Sequence, residues 1–303
     1  SSKRKAEWIL MKALIIAEHA AAAAELVAGA RTMADEVVAI SFGGAYECGA
    51  DKVLNITVPE SLTVDSAVET VNAAFDAENP EVVLVEACRH MKVIAGSLAF
   101  HADAAVITDV TTFEAEGAKS MYFGGIAERV QKAAGNVAIY TVGAGVFDGA
   151  EGANGSVAEQ EWVAPACPVK VVSSQVIEKS GVNLFKADVV VAAGRGFTEE
   201  SQLSLANDLC DKLGAGLACS RPLTEGVNWL PTERYVGVSG LMLTPKVYIA
   251  AGISGQMQHM VGCNRSGAIF AINKDKNAPI FKQCDFGLIG DIKDVLPAIT
   301  AAL

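Results

Sequence analysis

In the second half of the chain, six short runs each end in residues able to grip a ligand. These endings are Gly194-Arg195-Gly196, Ser220-Arg221, Ser239-Gly240, Ser254-Gly255 with Gln258 and His259 behind them, Asn273-Lys274-Asp275, and Gly290-Asp291. Glycine lets backbone approach a pyrophosphate, Ser and Asn hydrogen-bond to phosphate or ribose, and arginine adds charge and a planar fork. A single ending of this kind is ordinary turn chemistry. Six in succession, with two arginines and a histidine among them, point to a ligand of nucleotide type in a crevice along one sheet edge.

Other chemistries find less support. The dinucleotide pattern G-x-G-x-x-G is not met, because "GRGFTE" puts Glu199 and "GAGVFD" puts Asp148 where the third glycine belongs. Glu199 and Glu200 at a helix start suit the helix dipole and make a poor pyrophosphate seat. There is no Walker A sequence, no H-E-x-x-H and no G-x-S-x-G elbow. His19, His90 and His101 are dispersed and read as ordinary surface or packing residues. The cysteines at 48, 88, 167, 210, 219, 263 and 284 form no CxxC pair. They read as reduced thiols in a cytoplasmic-type compartment, with neither a disulfide frame nor a metal site.

The elements that position these endings alternate between strand and helix. "KALIIAE", "EVVAISFG", "KVLNITV" and "PEVVLVEAC" read as strands, with helices over 21–33, about 66–76 and 91–104 between and after them. "GGIAERVQKAAG" reads as a further helix and "NVAIYTVGAG" as a strand. After a Gly-rich, acidic stretch from Gly143 to about Asn183, read as linker and domain boundary, the rhythm restarts. A strand spans Asp188 to Ala193, and a helix follows from about Glu199 with Thr198 as its N-cap. "AGLAC", "RYVGVS", "KVYIAAG", "GAIFAIN" and "DFGLIG" read as strands, and a last helix after Asp291 is expected to bend at Pro297. The pattern predicts two α/β domains, 1–180 and 181–303, each a mostly parallel sheet covered by helices.

With 303 residues, 51% hydrophobic and 19% charged, the chain has the composition of a well-packed globular protein. Its net charge of −11 leaves no basic nucleic-acid surface and opposes an anionic membrane. The apolar runs are too short to span a bilayer. At the start, Lys12 interrupts the apolar stretch and no small-residue cleavage site follows, so a secretory signal is disfavoured. Ser1 to Leu10 read as an added stretch ahead of a native Met11.

"YIAAGISGQMQHMVG", "AIFAINKDKNAPIF" and "DFGLIGDIKDVLPAI" closely resemble the C-terminal signature of the electron transfer flavoprotein alpha subunit. "GRGF", "CSRPLTEG" and "RYVGVSG" occur in the family's order, and "KALIIAEH", "TDVTTFE" and "MYFGGIA" are similar to its N-terminal domain. The resemblance implies a heterodimer with a beta subunit and FAD in a Rossmann-like C-terminal domain. It implies electrons passed between a dehydrogenase and a quinone- or ferredoxin-type acceptor, with no substrate-converting residue in this chain. Arg195, Ser220, the run Val236, Gly237, Val238 and Ser239, and Asn273, Asp291 and Ile292 match ligand positions. So do Ser254, Gly255, Gln256, Met257, Gln258 and His259. Arg221 matches the arginine against the flavin ring, Ser239 the hydroxyl near N5, and His259 the group at the N1/C2 carbonyl edge. Val238 departs from the pattern, since many members carry Gln there. Two other readings remain: an autonomous nucleotide-dependent dehydrogenase, for which His259 is the sole acid–base candidate, and a nucleotide-binding sensor without redox chemistry.

Overall fold

The computed structural model describes residues 11–149, 152–175 and 183–303. These fall into two compact units. The first takes the chain through Tyr122 and again from Glu128 to residue 175; the second takes Phe123–Ala127 and residues 183–303. The cut expected between residues 180 and 181 and the stretch Ser1 to Leu10 lie outside the described residues.

The first unit begins with β1 (Lys12–Ile16), α1 (Ala20–Ala30), β2 (Glu36–Phe42) and β3 (Lys52–Ile56). Then come α2 (Val68–Glu78), β4 (Val82–Glu86), α3 (Arg89–His101), β5 (Val106–Glu114) and β6 (Gly117–Tyr122). It ends with β7 (Ala127–Gln131), β8 (Ala138–Val142) and β9 (Ser156–Glu159). The nine-stranded sheet has the order β7-β6-β5-β8-β4-β1-β2-β3-β9. From β3 through β2 and β1 to β4 every pairing is parallel, and β5 with β6 forms an antiparallel hairpin. Runs such as residues 82–85 are apolar at every position because both faces are covered. One face packs Leu14, Ile40 and Val83 under Val71, Ile94 and Leu98 of α2 and α3. The other packs Ile15, Ala39 and Leu84 under Leu26 and Val27 of the Ala-rich α1.

Two expectations change in this unit. The segment "GGIAERVQKAAG" is not a helix: residues 127–131 form β7, with side chains alternately half-buried and exposed. Contacts with β6 account for this. Glu128 pairs with Lys119 at 2.9 Å, and the Arg129 guanidinium lies 4.7 Å from the Tyr122 ring centroid. Ladder pairing and these side-chain pairs outweigh a helical spacing of apolar residues. The stretch after Gly143 is also more than a linker. β9 pairs in parallel with β3. Beyond it the chain lies as a strap on α2 and the 3-10 turn before it, where Thr70 Oγ1 accepts from the Val163 N–H at 2.9 Å and Ser66 Oγ from the Val169 N–H at 3.2 Å.

The second unit contains β10 (Val189–Ala193), α4 (Leu203–Leu213), β11 (Gly216–Cys219), α5 (Pro222–Glu225) and β12 (Val247–Ala251). It continues with α6 (Met257–Met260), β13 (Ala268–Asn273), β14 (Phe286–Ile289) and α7 (Ile292–Ala302). Its sheet is wholly parallel, in the order β11-β10-β12-β13-β14. Counting from the first strand this is 2-1-3-4-5, a doubly wound order whose switch point lies between β10 and β12. α4 and α7 cover one face through Leu203, Ala206, Leu209, Ile292 and Leu296. Asp291 caps α7 by accepting from the Lys293 N–H at 3.0 Å, and the helix continues through Pro297.

Two further corrections fall here. "RYVGVS" is not a strand. Tyr235 and Val236 make single bridges to Cys219 and Leu241, and the chain then turns through Gly237 to Gly240. Thr198 does not cap α4. A 3-10 turn over Glu200–Gln202 precedes the helix, and the Gln202 side chain accepts from the Thr198 N–H at 2.9 Å.

At the switch point the chain leaving β10 crosses the chain leaving β12 backbone on backbone. A Cβ at Gly196 would sit 2.5 Å from the Gly252 Cα, and Gly252 itself has φ +65. Gly196→Ala is expected to destabilise the second unit by about 1–3 kcal/mol, the usual cost of overpacking. Gly252→Ala should cost more, because it adds a left-handed backbone to the clash. Denaturant unfolding of both variants measures this, and equal stability to the wild type would show that the crossing yields freely.

Candidate functional site

All five strands of the second sheet run the same way, so their carboxyl ends meet at one edge. There, a cavity of about 1110 Å³ opens at the switch point. β10 delivers Arg195 and Gly196, and β12 delivers Gly252, Ile253 and Ser254. β11 supplies Ser220 and Arg221, β13 supplies Asn273 and Lys274, and β14 runs out into Gly290 and the cap of α7. The ladder continues one step past the strands: the Ser220 N–H donates to Ala193 O, Gly194 N–H to Ala251 O and Gly252 N–H to Ile272 O, at 2.8–2.9 Å. These bonds set the loop starts rigidly in line.

Two loops close the sides. In the turn from Val236 to Ser239, the Val238 N–H donates to Gln258 O at 2.7 Å, which ties it to the loop after β12. The Tyr235 hydroxyl donates to the Ser239 carbonyl and lies 2.9 Å from Ser239 Oγ. The loop from Ile253 to Gln256 is anchored below by Ile280 N–H to Ser254 O at 3.0 Å and by Gln283 Nε2 to Gly255 O at 2.8 Å. Asn273 links the loops, donating from Nδ2 to Ile253 O at 2.9 Å.

Every position matched to a ligand contact through the resemblance lines this cavity except Gly255, whereas Gly194, Gly240 and Asp275 of the six strand endings do not. Gly255, with φ +85, is pressed against the Ile280 backbone and shapes the loop from behind. The sequence reading missed Glu225, whose carboxylate is 2.6 Å from Arg221 Nε across one helical turn. The i,i+4 spacing of an acid after Arg221 was a usable signal. With Arg195, Arg221 and Lys274 opposite Glu225 and Asp291, the lining is net cationic in a chain of charge −11.

His259 is 8% exposed and stands in the single turn α6. Its Nε2 lies 2.9 Å from the hydroxyl of Tyr248, a fully buried β12 residue. Its Nδ1 is buried and makes no hydrogen bond, although the Val236 carbonyl is near enough to favour protonation weakly. Burial is the larger effect and holds the ring neutral, with its pKa lowered to about 4. The remaining histidines each face a carboxylate in the first unit. His19 Nδ1 is 2.7 Å from Glu86, His90 Nδ1 2.9 Å from Glu18, and His101 Nε2 2.8 Å from Asp76. Among the described residues no group of three or more His, Cys, Asp or Glu is arranged to hold a metal ion. Among the same residues no helix is long and apolar enough to cross a membrane.

A doubly wound parallel sheet, with glycine-crossed loops and a cation-bearing cavity at its switch point, defines a nucleotide-cofactor-binding α/β unit. Residues 183–264 match the family described as the electron transfer flavoprotein FAD-binding domain, and residues 13–166 the electron transfer flavoprotein domain. Protein FixB of Escherichia coli O157:H7 is 39% identical over 293 residues, covering 92% of this chain and 94% of its own length. Protein FixB of Shigella flexneri matches with the same identity and coverage. The chain belongs to the electron transfer flavoprotein family as an alpha-type member, and FAD is the cofactor of its second domain. The cavity fits that group in size, in its cationic lining and in the orphaned Nδ1 of a buried histidine.

Without flavin, the neutral His259 links stability to pH. The unfolded chain takes up a proton near pH 6.5 that the folded chain refuses until about pH 4. The resulting stabilisation is complete above pH 6.5 and is lost as the pH falls toward 4, by about 3 kcal/mol at most. Urea unfolding of the flavin-free chain at pH 7 and pH 4.5 should show this loss, and His259→Gln should lack it. Parallel pH curves for the two proteins would mean that His259 titrates normally.

Proposed function

We propose that this chain is the FAD-holding subunit of a heterodimer with an electron transfer flavoprotein beta subunit, passing electrons between a dehydrogenase and a quinone- or ferredoxin-type acceptor. The observation that carries the reading is the cavity at the second sheet's switch point, lined by the loop ends of β10, β11, β12 and β13, the first three of them inside the matched FAD-binding domain. The reading includes a cytoplasmic setting, which rests on the cysteine pattern of the sequence.

When bound, FAD supplies reversible electron uptake, and this chain's residues bind it, orient it and bias it. Arg195, Arg221 and Lys274 bring positive charge to a dianionic diphosphate. Ser220, Ser254, Asn273 and Asp291, on four separate loops, offer hydrogen-bonding groups along the cavity. In this reading Arg221 lies against the flavin ring, Ser239 serves the N5 edge and His259 the N1/C2 carbonyl edge. Reduction puts negative charge on that last edge, where a fixed donor or cation is most effective. Glu225 offsets part of the charge of Arg221 and holds its side chain over the cavity.

The test is the visible absorption spectrum, during stepwise reduction, of this chain co-purified with a beta-type partner. Flavin bands that bleach reversibly are expected; a colourless assembled complex that FAD cannot reconstitute would overturn the reading. Within it, Arg221→Ala is expected to weaken FAD binding by roughly tenfold, or to shift the flavin potential downward by the equivalent of one charged hydrogen bond. Fluorescence titration and a dye-linked potential measurement check the two effects. If neither moves, Arg221 is not in contact with the flavin.

A further inference from the structure

The Tyr248 hydroxyl is sealed inside the second unit. Tyr248 is fully buried on β12, among Val190, Ala218, Val236, Met260, Cys263 and Ile269. A phenol so enclosed needs a partner for its proton. It has two neighbours of suitable chemistry: His259 Nε2 at 2.9 Å and the Cys263 thiol. Burial raises the pKa of Tyr248 well above its usual value, so the hydroxyl keeps its proton. Burial likewise keeps the imidazole neutral, and a neutral imidazole has one nitrogen that donates and one that accepts.

These facts choose between two arrangements. Nε2 could carry the hydrogen and donate to the tyrosine oxygen, leaving the phenol to donate to sulfur, a weak acceptor. Alternatively the phenol donates to Nε2, the thiol is left to donate to the His259 carbonyl 4.0 Å away or to the phenol oxygen, and the histidine hydrogen resides on Nδ1. The second arrangement gives the strongest donor the best acceptor. It leaves Nδ1–H buried, without a hydrogen bond of normal geometry and with the Val236 carbonyl as its nearby acceptor, in a residue that lines the ligand cavity.

We propose that Tyr248 is a positioning residue: its hydroxyl, by donating to Nε2, holds His259 in the tautomer protonated at Nδ1, so that the histidine meets its ligand as a hydrogen-bond donor. The inference deepens the FAD reading and rests on it for the identity of the ligand. Tyr248 touches no ligand itself. It decides which nitrogen of His259 carries the proton, much as an outer-shell partner sets the tautomer of a metal-bound histidine.

The tautomer can be read directly by long-range nitrogen–proton correlation NMR on the nitrogen-15-labelled, flavin-free full chain. The wild type should show His259 protonated at Nδ1 with Nε2 bare. Tyr248→Phe keeps the ring and its packing, and should bring the Nε2-protonated form to at least equal population. Cys263→Ala should leave the tautomer unchanged. A wild type protonated at Nε2, a tautomer indifferent to Tyr248→Phe, or one that switches in Cys263→Ala overturns the proposal. If Tyr248→Phe does not fold, the wild type and Cys263→Ala decide between the arrangements. In the flavin-loaded complex, Tyr248→Phe should lower the equilibrium constant for reduction against a reference dye by about tenfold, with little change in FAD affinity. A merely structural role would lower thermal stability and leave the tautomer and that equilibrium where they were. Should the wild type bind no FAD, the functional reading fails while the NMR result still decides the role of Tyr248.

Discussion

From β10 the second unit winds one way to β11 and the other way to β12, and that reversal of direction is what opens a cavity in an otherwise continuous layer. Where two adjacent strands send their chains to opposite faces, no helix crosses the gap between their carboxyl ends. The reversal requires the outgoing chains to part at once, and Gly196 and Gly252 let them do so in direct backbone contact. The ladder then runs one residue further on each side, so that Ser220, Gly194 and Gly252 begin their loops from fixed points. The positions of Arg195, Arg221 and Ser254 follow from that geometry more than from any contact they make themselves.

The cavity's polarity is local. A chain with eleven excess negative charges gathers two arginines and a lysine at one sheet edge, and its acidic surplus lies elsewhere apart from Glu225 and Asp291. Even these two have structural tasks, Glu225 on Arg221 and Asp291 on the first turn of α7. His259 contributes differently. It is buried, uncharged and held at one nitrogen, so it adds no positive charge to the lining.

The strand ends were legible in the sequence because parallel strands buried on both faces read as unbroken apolar runs, and each run stops where the backbone must turn. Arg195, Ser220, Ser254 and Asn273 could be picked out on that ground alone. "RYVGVS" misled because Tyr235, Val236 and Val238 are strand formers in a short apolar run, while Gly237 and Gly240 permit a turn that the Tyr235 hydroxyl stabilises. "GGIAERVQKAAG" misled because its apolar spacing is helical, and only the neighbouring β6, with Lys119 and Tyr122, makes it a strand. Tyr248 was invisible as a functional residue: within "KVYIAAG" a tyrosine reads as core, and the path of its hydroxyl to His259 depends on a turn eleven residues later. Spacing along one element can be read from sequence; contacts between elements need the fold.

The first unit's outer edge raises a matter of timing. β3 ends at Ile56, yet its neighbour β9 begins at Ser156, and the strap that locks Thr70 and Ser66 reaches to Val169. During synthesis, β3 and the flank of α2 thus wait uncovered while about a hundred further residues are made. Such a bare strand edge invites pairing with another chain. Lys52, bonded to Glu78 at 2.6 Å, places a charge on that edge during the wait. A nascent chain released early, before Ser156 emerges, would carry most of its core but none of this border, and would be the species most prone to aggregate.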